Sequence, residues 1–225
     1  CMYLELKNVN KIINKNNILD NVNIQMEKGN IYGFMGINGS GKTMLMRCIC
    51  GLIRPTSGEV IINGKKLGVD CDFPESIGAL IENPGFIEHY TAIDNMMELA
   101  SIKKIADKDK ICSILNEVGL EPLNLKKVKK YSLGMRQKLG IAIAFMEEPD
   151  ILVLDEPFNA LDTVGCDKIK TMISKRKEQG KLIILSCHDK NTLEILSDKI
   201  FEIENGRIIN EYVVKKVSKV EEIKK

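Results

Sequence analysis

The chain has 225 residues, 44% of them hydrophobic and 28% charged, with a formal net charge of +2. This composition excludes a wholly disordered or collagen-like chain, and the length is enough for one large domain with a sizeable core. The near-balanced charge and the presence of only five arginines give no electrostatic reason for a nucleic-acid partner.

Leu4, Leu6 and Val9 open a strand, and Ile18, Val22 and Ile24 suggest a second. A turn at Lys28-Gly29-Asn30 leads into an apolar run over 31–35 that ends at Gly36. Residues 42–50 read as a helix, and Asn63-Gly64 after the strand at 60–62 is a hairpin signal. Residues 92–118 and 133–147 follow a helical period, with polar joints at 103–110 and 121–130. The runs 151–154 and 182–185 are short and wholly apolar, the pattern of central parallel strands covered on both faces. Asn205-Gly206 marks a late hairpin, and the charged tail 213–225 predicts a solvated helix or a frayed end. The expected fold is α/β. A mixed sheet with an N-terminal antiparallel part is interrupted by a helical insertion over 83–148, all within one domain spanning 2–225.

No run approaches the roughly 18 apolar residues of a membrane helix. No basic region followed by an apolar stretch opens the chain, so no secretory leader is expected. Seven cysteines, with no C-x-x-C pair, read as reduced thiols that behave as small hydrophobes.

The strand over 31–35 passes into Gly36-Ile37-Asn38-Gly39-Ser40-Gly41-Lys42-Thr43, which fits G-x-x-x-x-G-K-[ST] in its required place between strand and helix. The glycines let backbone N–H groups curl round a phosphate, and the following helix points its positive end at the same anion. Gly36, Asn38, Gly39, Ser40, Gly41, Lys42, Thr43 and Met44 are the candidate nucleotide contacts. Among them Lys42 would reach the β- and γ-phosphates and Thr43 would ligate Mg2+.

The run 151–154 releases Asp155 and Glu156 together, and ligands of open α/β sheets bind at that strand edge. Asp155 is a candidate holder of Mg2+ through water. Glu156 is the candidate group to orient or deprotonate a water attacking the γ-phosphate. The run 182–185 leads to Ser186-Cys187-His188, which would bring the His188 imidazole to the same edge, able to hydrogen-bond that phosphate. Within Tyr131-Ser132-Leu133-Gly134-Met135, Ser132 can cap the helix over 133–147 and Gly134 permits close backbone approach. Alone, this pair describes no more than a capped helix.

In this order, with Asn159-Ala160-Leu161-Asp162 after the carboxylate pair, the motifs resemble those of the ATP-binding subunit of ABC transporters. The resemblance runs from residue 4 to about residue 212 and implies a P-loop NTPase core with ATP and Mg2+ as ligands. It also implies a head-to-tail dimer, expected to be a homodimer. Each ATP would lie between one subunit's phosphate loop and Ser132 and Gly134 of the other, with Asp162 at the seam coupling the two sites. A separate membrane permease is the further implied partner, holding a cytoplasmic chain peripherally at the inner face of the membrane.

The chain departs from the family pattern at several places. The usual Leu-Ser-Gly-Gly-Gln signature keeps only its Ser, as Ser132, and its second Gly, as Gly134. Glu82, in Ile81-Glu82-Asn83-Pro84, stands where the family carries a Gln. Both departures resemble the bacitracin-resistance and lantibiotic-immunity branch, which implies export of a peptide antibiotic. A carboxylate binds Mg2+ more strongly than an amide does and repels bare phosphate. Glu82 is therefore a candidate metal ligand, expected to tune coupling to the permease rather than nucleotide affinity. Ile13 takes the position expected to stack on adenine; it has no π face, so adenine packing is expected to be weaker and less base-selective. Phe86 and Tyr90 are candidate anchors for a permease helix. Two competing readings are a non-transport ATPase of the same family and a nucleotide-dependent regulatory module. Chain length and neutral charge speak against the first, and an intact Glu156 and His188 against the second.

Overall fold

A computed structural model describes residues 2–82, 84–103 and 106–215. The chain begins with two long antiparallel strands, β1 (Met2–Ile13) and β2 (Asn16–Glu27). The turn between them places Asn14 and Lys15 at φ 50° and 66°. This is primed-turn geometry without the glycine that would have advertised it in the sequence. After β3 (Ile31–Met35) come α1 (Lys42–Ile49), β4 (Ser57–Ile62), β5 (Lys65–Lys66) and β6 (Ile77–Leu80). The hairpin read at Asn63-Gly64 joins β4 to β5, with both residues at positive φ.

The helical stretch expected over 92–118 is two helices, α2 (Ala92–Lys103) and α3 (Lys108–Val118). The break falls inside the polar joint because Asp107 caps α3, its carboxylate accepting from Lys110 N at 2.9 Å. A 3-10 turn at Val128–Lys130 precedes α4 (Leu133–Phe145), which ends two residues short of the expected 147. The remaining elements are β7 (Ile151–Leu154), α5 (Thr163–Glu178), β8 (Leu182–Ser186), α6 (Lys190–Leu196), β9 (Lys199–Glu204) and β10 (Arg207–Val213). Neither β6, α5 nor α6 had a clear signal in the sequence. Of the tail 213–225, Val213 closes β10, and 216–225 lie outside the described residues, as does Asn83.

The strands form two sheets, ordered β2-β1-β4-β5 and β10-β9-β3-β8-β7-β6. The first is antiparallel; in the second all pairings are parallel except that of β10 with β9. Every residue of β7 and β8 is buried, as expected of central parallel strands. Their side chains alternate between two cores. Ile151, Val153, Leu182 and Ile184 pack with α1 and the first sheet, against Phe34, Leu45 and Met46. Leu152, Leu154, Ile183 and Leu185 face the helices, against Leu139, Ile141 and Phe145. The second sheet is thus a wall shared by two cores, and its strand ends are fixed from both sides.

Candidate functional site

Four neighbouring parallel strands deliver chemistry to one edge. β3 ends at the phosphate loop, β8 at His188, β7 at Asp155 and Glu156, and β6 just before Glu82. Register sets how these ends line up, since Leu80 pairs with Leu154, Leu154 with Leu185, and Phe34 with Ser186.

The loop 36–41 requires glycine for more than one reason. A Cβ on Gly36 would lie 2.3 Å from the Ile203 carbonyl oxygen, and Gly41, at φ +113°, is the residue from which α1 starts. Inside the curl, the buried Lys42 ammonium donates to the carbonyls of Gly36 at 2.6 Å and Ile37 at 3.0 Å. Burial lowers its pKa, and the charges of Glu156 and Asp155 pull it back up.

Asp155 is held by two hydroxyls. Thr43 Oγ1 donates to its Oδ2 and Ser186 Oγ to its Oδ1, each at 2.6 Å. Ser186 Oγ also accepts from Glu156 N at 2.9 Å, so one fully buried serine positions both carboxylate residues. Glu156 adopts φ +50°, a left-handed conformation uncommon outside glycine and asparagine. Its main-chain oxygen accepts from Gln137 Nε2 at 3.1 Å. His188 Nε2 stands 3.1 Å from Glu156 Oε1, and this buried oxygen accepts no hydrogen bond among the described residues. Burial raises the Glu156 pKa, His188 opposes the rise and Asp155 adds to it. Glu82, at φ +55°, turns its carboxylate onto Arg47, with Oε2 2.5 Å from Nη2.

These groups enclose a cleft of about 260 Å3. Of the residues named from the sequence, Asn38, Gly39, Gly41, Lys42, Thr43, Met44, Glu82, Asp155 and Glu156 line it. Two further residues line it that the sequence did not mark as site residues, Ile18 and Arg47. Ile13 does not; it sits at the β1–β2 hairpin, opposite Asn16. Ser40 is buried in the loop, and its Oγ has no partner among the described residues. His188 reaches the cleft only through its approach to Glu156.

Ser132, Gly134 and Asp162 stand outside the cleft. Ser132 caps α4, accepting from Met135 N at 3.2 Å. Gly134 is a glycine for a local reason as well, since a Cβ there would lie 2.6 Å from the Ala160 carbonyl oxygen. Asp162 caps α5, accepting from Gly165 N at 3.0 Å. The segment that follows Glu82 is tied to the segment that precedes Ser132. Val128 N donates to Tyr90 O and Lys129 N to Glu88 O, both at 2.9 Å. Arg136 then grips the Glu88 carboxylate with both Nη atoms, at 2.8 and 2.7 Å.

The oxygens of Thr43 and Asp155, adjacent at the foot of the phosphate loop, suit a hard divalent cation. Among the described residues no group of three or more His, Cys, Asp and Glu side chains could hold a metal. A cation here would therefore take its other ligands from phosphate oxygens and water. A larger open groove between β2 and β10 is lined by Asp20, Arg207, Glu211, asparagines and two isoleucines. Its one opposite-charge pair is closed on itself, with Arg207 donating to Asp20, so the convergent chemistry belongs to the smaller cleft.

Comparison with known proteins extends this picture. The family described as ABC transporter matches residues 19–159. The ABC transporter ATP-binding protein YybJ of Bacillus subtilis is 45% identical, over 91% of this chain and 94% of that protein. The lantibiotic transport ATP-binding protein SrtF of Streptococcus pyogenes is 38% identical, over 92% of this chain and 90% of that one. The bacitracin transport ATP-binding protein BcrA of Bacillus licheniformis is 38% identical, over 92% of this chain and 69% of its own length. Among solved structures, the dimeric post-hydrolysis state of the ATP-binding cassette MJ0796 bound to ADP and Pi is similar with a TM-score of 0.85. It shares 27% identity and covers 95% of this chain and 100% of that one.

Proposed function

The chain belongs to the ABC transporter family as an ATP-binding subunit, and from that premise we infer that it hydrolyses ATP to ADP and phosphate to power a separate permease exporting a peptide antibiotic. The observation that carries the hydrolytic part is Glu156. It is a largely buried carboxylate at the cleft, flanked by His188, with one oxygen that no donor occupies among the described residues. Its raised pKa makes it a stronger base than an ordinary glutamate, suited to orienting a water and drawing its proton as that water attacks the γ-phosphate.

The loop N–H groups and Lys42 bind the phosphates. Thr43 and Asp155, with Glu82 nearby, would hold Mg2+, which supplies charge neutralisation at the phosphate oxygens when bound. His188 steadies Glu156 and hydrogen-bonds the γ-phosphate. Ser132 and Gly134 of a second copy cover the nucleotide, and Asp162 couples the two sites across the seam. The dimeric state named for the MJ0796 cassette supports pairing of two copies. Among the described residues no helix is long and apolar enough to cross a membrane. The chain would reach the cytoplasmic face of the membrane by docking on the permease, with Phe86 and Tyr90 at the contact. The bacitracin or lantibiotic class of cargo is proposed from the names of the relatives and from the signature and Glu82 departures.

Two experiments test this reading. Glu156→Gln with ATP and Mg2+ should elute from a sizing column as a dimer, and a monomer under those conditions refutes the sandwich. Growth in bacitracin and in lantibiotics, native allele against Lys42→Ala, should show hypersensitivity of the mutant to one class. No difference across the panel removes the antibiotic assignment.

A further inference from the structure

We propose that Arg47 is the counter-charge that allows nucleotide into a cleft that Glu82 would otherwise make repulsive, an inference that rests on the nucleotide reading above. Arg47 follows Thr43 by four residues on α1, so the two side chains share one helical face. Both line the cleft. The Arg47 guanidinium lies 2.5 Å from the Glu82 carboxylate.

The cleft's charge shows why this matters. Two cations, Lys42 and Arg47, line it beside three carboxylates, Glu82, Asp155 and Glu156. A pocket for a polyanion is thus not positive by its own side chains. Glu82 is tethered close to the sheet. It follows β6, whose Leu80 carbonyl accepts from Asp155 N at 2.7 Å, and its own φ is +55°. Its negative charge stays at the mouth unless something cancels it. Arg47 does so at short range, and from the position of the phosphates the pair acts as a weak dipole rather than a bare charge. Without Arg47, Glu82 opposes the phosphates unless a divalent cation stands between them. Arg47 thereby makes nucleotide binding less dependent on Mg2+.

The test is equilibrium binding of ATP, read independently of hydrolysis. Four proteins are compared in EDTA and in Mg2+: wild type, Arg47→Ala, Glu82→Gln and the double variant. In EDTA, Arg47→Ala should bind about fivefold more weakly than wild type, the upper end for a partly exposed ion pair. In Mg2+ the deficit should fall below about twofold, because the cation takes over the neutralisation. In the Glu82→Gln background, Arg47→Ala should cost nothing in either buffer. Arg47→Lys, which keeps the charge and loses the fork, should retain most of the affinity. A loss that persists in the Glu82→Gln background would mean that Arg47 contacts the phosphates directly and overturns the proposal. So would an Arg47→Ala protein equal to wild type in EDTA. Wild type that binds no ATP even with Mg2+ refutes the proposed function itself, a result distinct from either.

Discussion

Ser186→Ala removes one oxygen and disturbs two residues of the site. Ser186 is fully buried, donates to Asp155 Oδ1 at 2.6 Å and accepts from Glu156 N at 2.9 Å. Truncation leaves a partly buried main-chain N–H without an acceptor, at a cost of about 1–3 kcal/mol. It also deletes a hydrogen bond to a carboxylate, worth about 1.5–3 kcal/mol where the acceptor is charged. Thr43 still holds the other Asp155 oxygen, so the two losses overlap, and a net destabilisation of about 2–4 kcal/mol is expected. At about 2–4 °C per kcal/mol for a domain of this size, Tm falls by roughly 4–16 °C. Ser197→Ala is the matched control: Ser197 is equally buried, but its Oγ has no partner among the described residues. Its truncation should cost less than about 1 kcal/mol. Urea unfolding of the nucleotide-free proteins gives both numbers. Hydrolysis should fall about tenfold or more in Ser186→Ala only, since Glu156 loses the contact that holds its left-handed backbone in place. A Ser186→Ala protein within about 0.5 kcal/mol of the Ser197→Ala control would refute this reasoning.

The raised pKa of Glu156 predicts a pH-dependent stability. A raised folded-state value means that folding favours the protonated acid, a contribution complete below the ordinary 4.5 and lost as pH rises through the folded value. Glu156→Gln should therefore raise the Tm of the nucleotide-free protein at neutral pH. That gain should shrink to nothing near pH 4 in a thermal melt series, and a constant gain across the series contradicts the burial argument. Gly134→Ala places a Cβ 2.6 Å from the Ala160 carbonyl oxygen, which is backbone and cannot swing away. Denaturant unfolding should show a loss of about 1–3 kcal/mol, and a neutral variant would mean that the α4 start and the 160 loop are free to separate.

The parts of this site legible in the sequence were those whose chemistry sits at the end of a short apolar strand. Lys42, Asp155, Glu156 and His188 each follow such a run, and the parallel sheet gathers those ends at one edge. Residues whose role depends on register across distant segments were not legible. Arg47 is an unremarkable helix residue until β6 brings Glu82 against it from 35 residues away. Ser186 closes an apolar run, and nothing local says that it holds both Asp155 and Glu156. Ile18, not Ile13, lines the cleft because the β1–β2 turn puts β2 beside the phosphate loop, where the Ile18 carbonyl would meet a Cβ on Gly41 at 3.1 Å. α5 had no signal because its apolar residues are sparse among lysines and its start is set by the Asp162 cap. The hairpins at Asn63-Gly64 and Asn205-Gly206 were visible through their glycines, while the one at Asn14-Lys15 was not.

The bidentate grip of Arg136 on Glu88, with the main-chain bonds from Val128 and Lys129, leaves little slack between two stretches of chain. A fork fixes direction as well as distance, so rotation is resisted along with separation. The 88–90 segment and the first turn of α4 thus behave mechanically as one stiff body. A displacement of the 88–90 segment is therefore expected to carry the first turn of α4, and the Ser132 cap with it.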